Sequence, residues 1–164
     1  GSERILGSFA DHLSKHAQES LETLGVEVKT HPLVTNIDEQ GVQIGPQQLK
    51  ARTVIWAAGV KPAAINKTMD VAVDKNGRVI VESDLSLRDH PDVFVIGDQA
   101  CFIENGQALP GLAPVAMQQG RHAGRNIKAD IAGKKRRPFK YTNKGMMATI
   151  GRSRAIAALG AIPF

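Results

Sequence analysis

Apolar side chains near the start of the chain recur with the period of an α-helix. They are Phe9, Leu13, Ala17, Leu21 and Leu24. Polar residues, several of them charged or amide, fill nearly all positions between them, which is the pattern of a helix with one buried face. Gly25 follows where such a helix commonly ends, because glycine adopts a left-handed backbone at little steric cost. A second helical pattern covers residues 115–131, with Pro114 in its first turn and Gly133 just past its end.

The rest of the chain has the shorter periods of β-strands. Strands are predicted at residues 26–29, 34–37, 41–44, 48–50, 79–81, 146–150 and 155–159. An Asn-Gly turn at 74–78 precedes the strand at 79–81, and residues 85–87 are expected to pair nearby. Two stretches are almost continuously apolar, TVIWAAG at 53–59 and VFVIGD at 93–98. Such stretches are typical of buried parallel strands, so the pattern as a whole predicts an α/β fold.

Composition narrows the class of protein and of chemistry. The chain has 164 residues, 42% of them hydrophobic and 23% charged, as in a soluble globular protein. Its single cysteine, Cys101, excludes an internal disulfide, a cysteine-based zinc finger and a dithiol redox pair within this chain. His12 and His16 share a helix face but have no third ligand nearby, so no metal site is expected. Ser14 and Ser153 have no plausible histidine and acid partners, and no catalytic residue is predicted.

Charge is distributed unevenly along the chain. Residues 1–120 carry 10 Lys and Arg against 15 Asp and Glu, whereas residues 121–164 carry 11 against 1. A basic end of this kind suits a polyanionic surface, either nucleic acid or anionic lipid, and the alternative is a solvated face. Aromatic residues do not alternate with the basic run at 134–137, which argues against stacking on single strands. A basic nucleic-acid or interaction module at residues 121–154 therefore remains the alternative function.

The glycine pattern lacks the usual phosphate-binding loops. No two glycines stand two residues apart, so G-x-G-x-x-G does not occur, and G-x-x-x-x-G-K-[ST] is absent as well. A dinucleotide domain holds pyrophosphate with such a loop at a helix N-terminus. Either the chain binds no dinucleotide, or it is the second half of a protein that does.

Two strand ends favour the second possibility. Asp98 follows a predicted buried strand at the edge where α/β sheets bind ligands, and its carboxylate can accept hydrogen bonds from the ribityl hydroxyls of a flavin. The alternative is an aspartate that caps the next turn. Residues 57–59, AAG, allow a cofactor to approach the backbone closely, and the alternative is a simple exit from a strand.

Several motifs together resemble one family of enzymes. They are ERIL at 3–6, VIWAAGV at 54–60, VFVIGD at 93–98, LPGLAPVAMQQG at 109–120, PFKY at 138–141 and KGMMATIGR at 144–152. They resemble the two-dinucleotide-domain flavoprotein reductases and, among these, type II NADH dehydrogenase, the non-proton-pumping NADH:quinone oxidoreductase. The implied fold is a partial doubly wound dinucleotide-binding architecture, FAD/NAD(P)-reductase-like, that lacks both glycine-rich loops and is followed by the start of a C-terminal β-rich interface domain.

The resemblance also implies domains and an activity. Residues 3–52 would end the NADH-binding domain, 53–137 would end the FAD-binding domain, and 138–164 would begin the membrane- and quinone-side domain. The parent would pass hydride from NADH to FAD and two electrons to a respiratory-chain quinone, as a peripheral protein on the cytoplasmic face of the cell membrane. Its expected cofactors are FAD and NAD, with NADH as substrate, and its expected partners are quinone and anionic lipid rather than nucleic acid. The chain alone is expected to be soluble, inactive and homodimeric. A sulfide or disulfide reductase is disfavoured, because those chemistries need paired cysteines.

The resemblance implies site residues as well. Those expected to contact a cofactor are Ala58, Gly59, Gly97, Asp98, Pro114, Val115 and Ala116. Ala58 and Gly59 would lie near the nicotinamide and flavin, and residues 97–98 at the ribityl-pyrophosphate. Residues 114–116 would lie at the flavin pyrimidine, where a helix N-terminus stabilises negative charge. Those expected to face quinone are Gln118, Gln119 and Lys144. The alternatives are a polar pair on the helix surface for the glutamines and a solvated side chain for the lysine.

Overall fold

The structure is a computed structural model that describes residues 2–31 and 33–158, apart from the side chain of Lys67. Its helices are α1, Asp11–Thr23, and α2, Ala113–Ile131. Its strands are β1, Val34–Asp38; β2, Gly41–Ile44; β3, Gln47–Lys50; β4, Val79–Ile80; β5, Ala100–Cys101; β6, Ile103–Glu104; β7, Gln107–Ala108; β8, Met146–Ile150; and β9, Arg154–Ala158. Two 3-10 turns lie at Ala64–Thr68 and Gly97–Gln99. The chain forms two compact units, unit 1 (Gly1–Ala57 with Asn143–Phe164) and unit 2 (Ala58–Thr142).

Unit 1 contains α1, a three-stranded antiparallel sheet and a hairpin. The sheet has the order β1-β2-β3, and β8 pairs with β9 in an antiparallel hairpin. The apolar face of α1 packs on this hairpin, and Phe9, Ala17, Ile150 and Ile156 form the buried centre of the contact. Burial of this face stabilises the helix, since short helices gain most of their stability from packing.

Unit 2 is built around one apolar cluster. Its buried members are Val79, Val81, Leu85, Leu87, Ala100, Phe102 and Phe139. Strands β4 and β5 pair in parallel through the cluster. The rings of Phe102 and Phe139 meet edge to face, with centroids 5.2 Å apart. The start of α2 lies against the Gly97–Gln99 turn, so the cluster supports the segment in which most candidate site residues occur.

Polar side chains attach the end of α2 to the segment that follows it. The amide of Asn126 is buried, and its oxygen accepts the N–H of Arg137 while its nitrogen donates to the same residue's carbonyl, both at 3.0 Å. Arg136 forms ion pairs with Asp130 and with Asp84, and its guanidinium lies 4.7 Å from the centre of the Phe94 ring. The chain at 136–139 is therefore fixed against α2.

Most elements that depend on local pattern are confirmed. The structure contains both predicted helices and the strands at 34–37, 41–44, 48–50 and 146–150. The strand predicted at 79–81 is present at its first two residues, after the predicted Asn-Gly turn, in which the N–H of Gly77 donates to the carbonyl of Asp74 at 2.9 Å. The strand predicted at 155–159 is present up to Ala158, and Leu159 lies outside the described residues. The predicted domain boundaries stay a prediction.

Three strand predictions are wrong. Residues 26–29 and 53–59 form no strand in the described structure, and Ile55 and Trp56 are 85% and 64% exposed. Residues 93–98 form one antiparallel bridge, Ser86 with Phe94, instead of a buried parallel strand. Apolar composition favours a central strand only when neighbours occupy both of its edges. Residues 85–87 supply one such neighbour for 93–95, whereas no backbone hydrogen bond joins 53–59 to another described segment.

Candidate functional site

The Gly97–Gln99 turn presents Asp98 next to helix α2. Gly97 has φ +66°, and a Cβ at this position would lie 3.3 Å from Cβ of Ala116. Glycine therefore allows both the left-handed backbone and the close approach to the helix. The N–H of Gly97 donates to Oε1 of Gln119 at 2.7 Å. Asp98 itself is exposed, so its carboxylate is open to a ligand.

A second glycine lies directly against this carboxylate. A Cβ at Gly111 would lie 3.0 Å from Oδ1 of Asp98 and 3.6 Å from its Cγ. The loop that leads into α2 thus passes directly beside Asp98, where a methyl group would require the carboxylate to shift by a few tenths of an ångström. The structure brings together the turn, this loop and the first residues of α2.

Helix α2 begins without a side-chain cap from any described residue. Leu112 occupies the N-cap position, and Pro114 lies in the first turn, where its missing N–H costs nothing. Pro114 is exposed, Ala116 is half-buried, and Val115 is buried in unit 2. The positive end of the helix dipole therefore lies open near Asp98, where it favours negative charge on a ligand.

The two glutamines of α2 bind different segments. The side chain of Gln118 donates to the carbonyl of Thr142 at 2.9 Å and accepts its N–H at 3.0 Å. Gln119 is only 1% exposed, and its oxygen accepts the N–H of Gly97. Neither glutamine is a freely solvated helix residue, and their predicted contact with quinone stays a prediction.

The remaining candidates are exposed. Ala58 and Gly59 form no strand, and Gly59 has φ +78°. The segment they open is attached to the Gly97–Gln99 turn, because the N–H of Ala63 donates to Oε1 of Gln99 at 3.1 Å. A cavity of about 610 Å³ adjoins this segment, and its ionisable lining residues are Lys61 and Asp70. Lys144 is exposed and belongs to unit 1. A wider cavity of about 970 Å³ in unit 1 is lined by residues between 2 and 22 and contains none of the candidates.

Cys101 has the environment of an inert thiol. It is buried, and burial raises the pKa of its thiol despite the nearby guanidinium of Arg78, whose Nη2 lies 3.8 Å from Sγ. A thiol with a raised pKa is protonated at neutral pH and is a poor nucleophile. Among the described residues, no three His, Cys, Asp or Glu side chains cluster as metal ligands would. In the same residues, neither helix is both long and apolar enough to cross a membrane.

Sequence reasoning missed the residues that hold the site in place. They are Gln99, Gly111 and Thr142. The Pro-Gly pair at 110–111 indicates a turn, but its approach to Asp98 depends on how α2 packs. The partners of Gln99 and Thr142 lie 36 and 24 residues away in sequence, beyond the range of any local signal.

Comparisons with known proteins agree on one family. The sequence profile of the pyridine nucleotide-disulphide oxidoreductases matches residues 1–120. Type II NADH:quinone oxidoreductase NdhA of Mycobacterium tuberculosis is 37% identical over 174 residues, covering 98% of this chain and 36% of its own length. Type II NADH:quinone oxidoreductase of Staphylococcus saprophyticus is 36% identical over 154 residues, covering 90% of this chain and 38% of its own length. The chain thus spans little more than a third of these relatives.

Solved structures share the fold. A FAD-dependent pyridine nucleotide-disulphide oxidoreductase from Desulfovibrio vulgaris has a TM-score of 0.72 and 25% identity, covering 91% of this chain and 38% of that one. NDH2 from Plasmodium falciparum in complex with NADH has a TM-score of 0.85 at 16% identity, covering 99% of this chain and 49% of that one. The reductase-like α/β fold and the resemblance to type II NADH dehydrogenase are confirmed. The chain belongs to the pyridine nucleotide-disulphide oxidoreductase family.

Proposed function

We propose that this chain contributes the flavin- and quinone-facing part of an FAD-dependent NADH:quinone oxidoreductase. One observation carries the proposal: an exposed carboxylate, two glycines and an uncapped helix start lie together in a chain similar to enzymes of that name. The reaction transfers hydride, with its two electrons, from NADH to FAD. The two electrons then pass to quinone, which takes up two protons as it becomes quinol.

The residues around Asp98 fit a flavin. Gly111 leaves space beside the carboxylate, where a Cβ would lie 3.0 Å from Oδ1, and Gly97 lets the turn approach Ala116, which a Cβ would meet at 3.3 Å. An ionised carboxylate accepts hydrogen bonds from hydroxyl groups, which the ribityl chain of a flavin carries. We therefore propose that Asp98 binds and orients this chain.

The N-terminus of α2 favours negative charge on a ligand near Asp98. When bound, FAD supplies the two-electron redox chemistry of the enzyme. The uncapped N-terminus of α2 stabilises negative charge beside it by roughly 0.3–1 kcal/mol at an exposed site. Pro114, Val115 and Ala116 bring this end of the helix to the site, and the segment that starts at Ala58 and Gly59 approaches it through the hydrogen bond between Ala63 and Gln99.

For quinone, we propose direct contact by Gln118 and Lys144 and an indirect role for Gln119. Nε2 of Gln118 donates to the carbonyl of Thr142. To bind quinone, this N–H group would leave the Thr142 carbonyl and donate to a quinone carbonyl instead. Gln119 is buried and acts on quinone only indirectly. Lys144 is exposed, which leaves its ammonium accessible to a polar ligand.

The basic segment suits an anionic membrane at the cytoplasmic face. Residues 121–142 contain eight Lys and Arg and one acidic residue, Asp130, which is already paired with Arg136. The other seven cations are exposed and have no ion pair within the described residues. Basic residues near an anionic bilayer contribute about 1 kcal/mol each, so these side chains favour peripheral attachment.

Purification of the full-length protein that contains this chain tests the flavoprotein function. We expect a yellow protein whose flavin absorption is bleached by NADH without oxygen and restored by a soluble quinone. Asp98→Ala should purify with little flavin. An unaltered protein that binds no FAD would refute the proposed function, whereas flavin that NADH does not reduce would refute the choice of electron donor.

Sedimentation with vesicles tests the membrane partner. The full-length protein should sediment with phosphatidylserine vesicles at low salt and less at high salt, because the attraction is screened. Charge reversal at Lys134 and Lys135 should weaken binding, and Lys75→Glu, on the Asn-Gly turn, should not. Equal binding by both variants would contradict the assignment, and tighter salt-sensitive binding to duplex DNA would favour the nucleic-acid alternative.

A further inference from the structure

We infer that Gln119 is a positioning residue that fixes Asp98 for the flavin, an inference that rests on the proposed function. Gln119 is the largest polar side chain among the fully buried ones of the described residues. A buried amide is costly unless it is hydrogen-bonded. Its Oε1 accepts a 2.7 Å hydrogen bond from the N–H of Gly97, the residue directly before Asp98.

The hydrogen bond determines where the turn lies relative to α2. Gly97 and Gln119 are 22 residues apart in sequence, so the bond joins two separate segments. Gly97 also packs against Ala116, one turn earlier on the same helix face. Gly97 thus contributes one polar and one apolar contact between the turn and α2.

The position of Asp98 is sensitive to this anchor. Its Oδ1 lies 3.0 Å from the place of a Cβ on Gly111, so little free space surrounds the carboxylate on that side. A turn released from Gln119 moves the carboxylate relative to both α2 and the Gly111 loop. Gln119 therefore acts on flavin affinity through Gly97, without touching the cofactor.

Replacing the acceptor while keeping the length of the side chain tests this role. In the full-length apoprotein, Gln119→Met should raise the dissociation constant of FAD about tenfold, the effect of losing one buried hydrogen bond. Gln119→Glu retains an oxygen acceptor and should restore most of the affinity. Hydrogen exchange in a peptide covering residues 93–99 should be faster in Gln119→Met and near normal in Gln119→Glu.

Two further variants separate positioning from general destabilisation. Asn126→Leu removes another buried amide of α2, two turns away, and should lower stability while leaving FAD affinity unchanged. Gly97→Ala disturbs the contact between Gly97 and Gln119 from the side of the turn. The new methyl group is strained at a φ of +66° and would lie 3.3 Å from Cβ of Ala116. This variant should weaken FAD binding, and it provides a test even if Gln119→Met does not fold.

The outcomes distinguish this inference from the proposed function. Failure of the unaltered protein to bind FAD would refute the proposed function. Normal FAD binding by the unaltered protein and by Gln119→Met would overturn the inference alone. Unchanged exchange at residues 93–99 in Gln119→Met would also overturn it, and so would an increased KM for quinone at saturating FAD without loss of FAD affinity.

Discussion

A single methyl group at position 111 should weaken flavin binding. In Gly111→Ala the new Cβ would lie 3.0 Å from Oδ1 of Asp98, whereas ordinary contact begins at 3.4 Å. The backbone of Gly111 is not in the left-handed region, so alanine introduces no backbone strain there. Since Asp98 is exposed, its carboxylate can yield by the missing 0.4 Å or so while the fold is kept.

The size of the effect follows from the bonds that the carboxylate makes. A hydrogen bond to a charged group contributes about 1.5–3 kcal/mol, and a displaced carboxylate loses part of this. We therefore expect the dissociation constant of FAD to rise about tenfold, which corresponds to about 1.4 kcal/mol. Thermal stability should change little, because no buried side chain has to move.

Titration of the apoprotein with FAD, followed by flavin fluorescence, measures this effect. The matched control is Gly124→Ala on α2, where a Cβ would meet nothing within 4 Å. Alanine in a helix interior stabilises by about 0.5–1 kcal/mol relative to glycine, so this variant should bind FAD normally and melt slightly higher.

A double-mutant cycle locates the cause of the lost affinity. Asp98→Ala removes the oxygen that the new methyl group would meet, so Gly111→Ala should have almost no further effect in that background. Additive losses would show that Gly111 acts on the flavin independently of Asp98. Unchanged FAD affinity in Gly111→Ala would refute the reasoning altogether.

Three other predictions concern the quinone, the acid stability and the chain alone. Gln118→Ala should raise the KM for quinone and leave anaerobic flavin reduction by NADH intact, and an equal slowing of both steps in stopped-flow measurements would contradict this. Desolvation alone would raise the pKa of Asp84, but hydrogen bonds from Ser86 and the ion pair with Arg136 outweigh it and lower this pKa in the folded state. The ionised Asp84 therefore stabilises the fold above the pKa of the unfolded chain, and this stabilisation is lost as pH falls through the folded pKa. Arg136→Met should raise the pH at which acid unfolding, monitored by circular dichroism, occurs. The chain of 164 residues alone should self-associate, because Trp56 is 64% exposed. It should also bind FAD weakly, because it contains no G-x-G-x-x-G loop. A monomer in light scattering that binds FAD with micromolar affinity in a flavin titration would contradict this prediction.

Local signals predicted the elements that depend on near neighbours. The helical period, Pro114 and Gly133 predicted α2, which the structure contains at Ala113–Ile131. The strands at 34–37, 41–44, 48–50 and 146–150 were likewise predicted from the local pattern. In these elements each hydrogen bond joins residues close in sequence, so a short window contains the relevant information.

Pairing between distant segments could not be obtained in this way. TVIWAAG at 53–59 has the composition of a central strand, yet the described structure gives it no partner. Composition reports the environment that a segment suits, whereas strand formation needs a neighbour with unpaired N–H and C=O groups. For the same reason, the sequence did not predict that residues 93–95 pair with residues 85–87 in an antiparallel manner.

In the candidate site, too, some residues could be recognised from local sequence and others only from tertiary contacts. Gly97 and Asp98 were recognisable as the end of an apolar stretch, because an acidic residue at that place has a chemical use. Gly111 was visible only as part of a turn, and its relation to Asp98 rests on a distance of 3.0 Å that follows from tertiary packing. Sequence reasoning therefore predicted a ligand contact for Asp98, which stays a prediction, and missed Gly111, which lies against its carboxylate.

The adjacent glutamines of α2 contact two different segments of the chain. Successive residues of an α-helix point about 100° apart, so Gln118 and Gln119 necessarily face different segments. Gln119 holds the turn that presents Asp98, and Gln118 holds Thr142 through two hydrogen bonds. Because the two side chains share a backbone but no partner, a substitution at one leaves the contacts of the other in place. Flavin affinity and quinone affinity should therefore respond separately to changes at these two neighbouring positions.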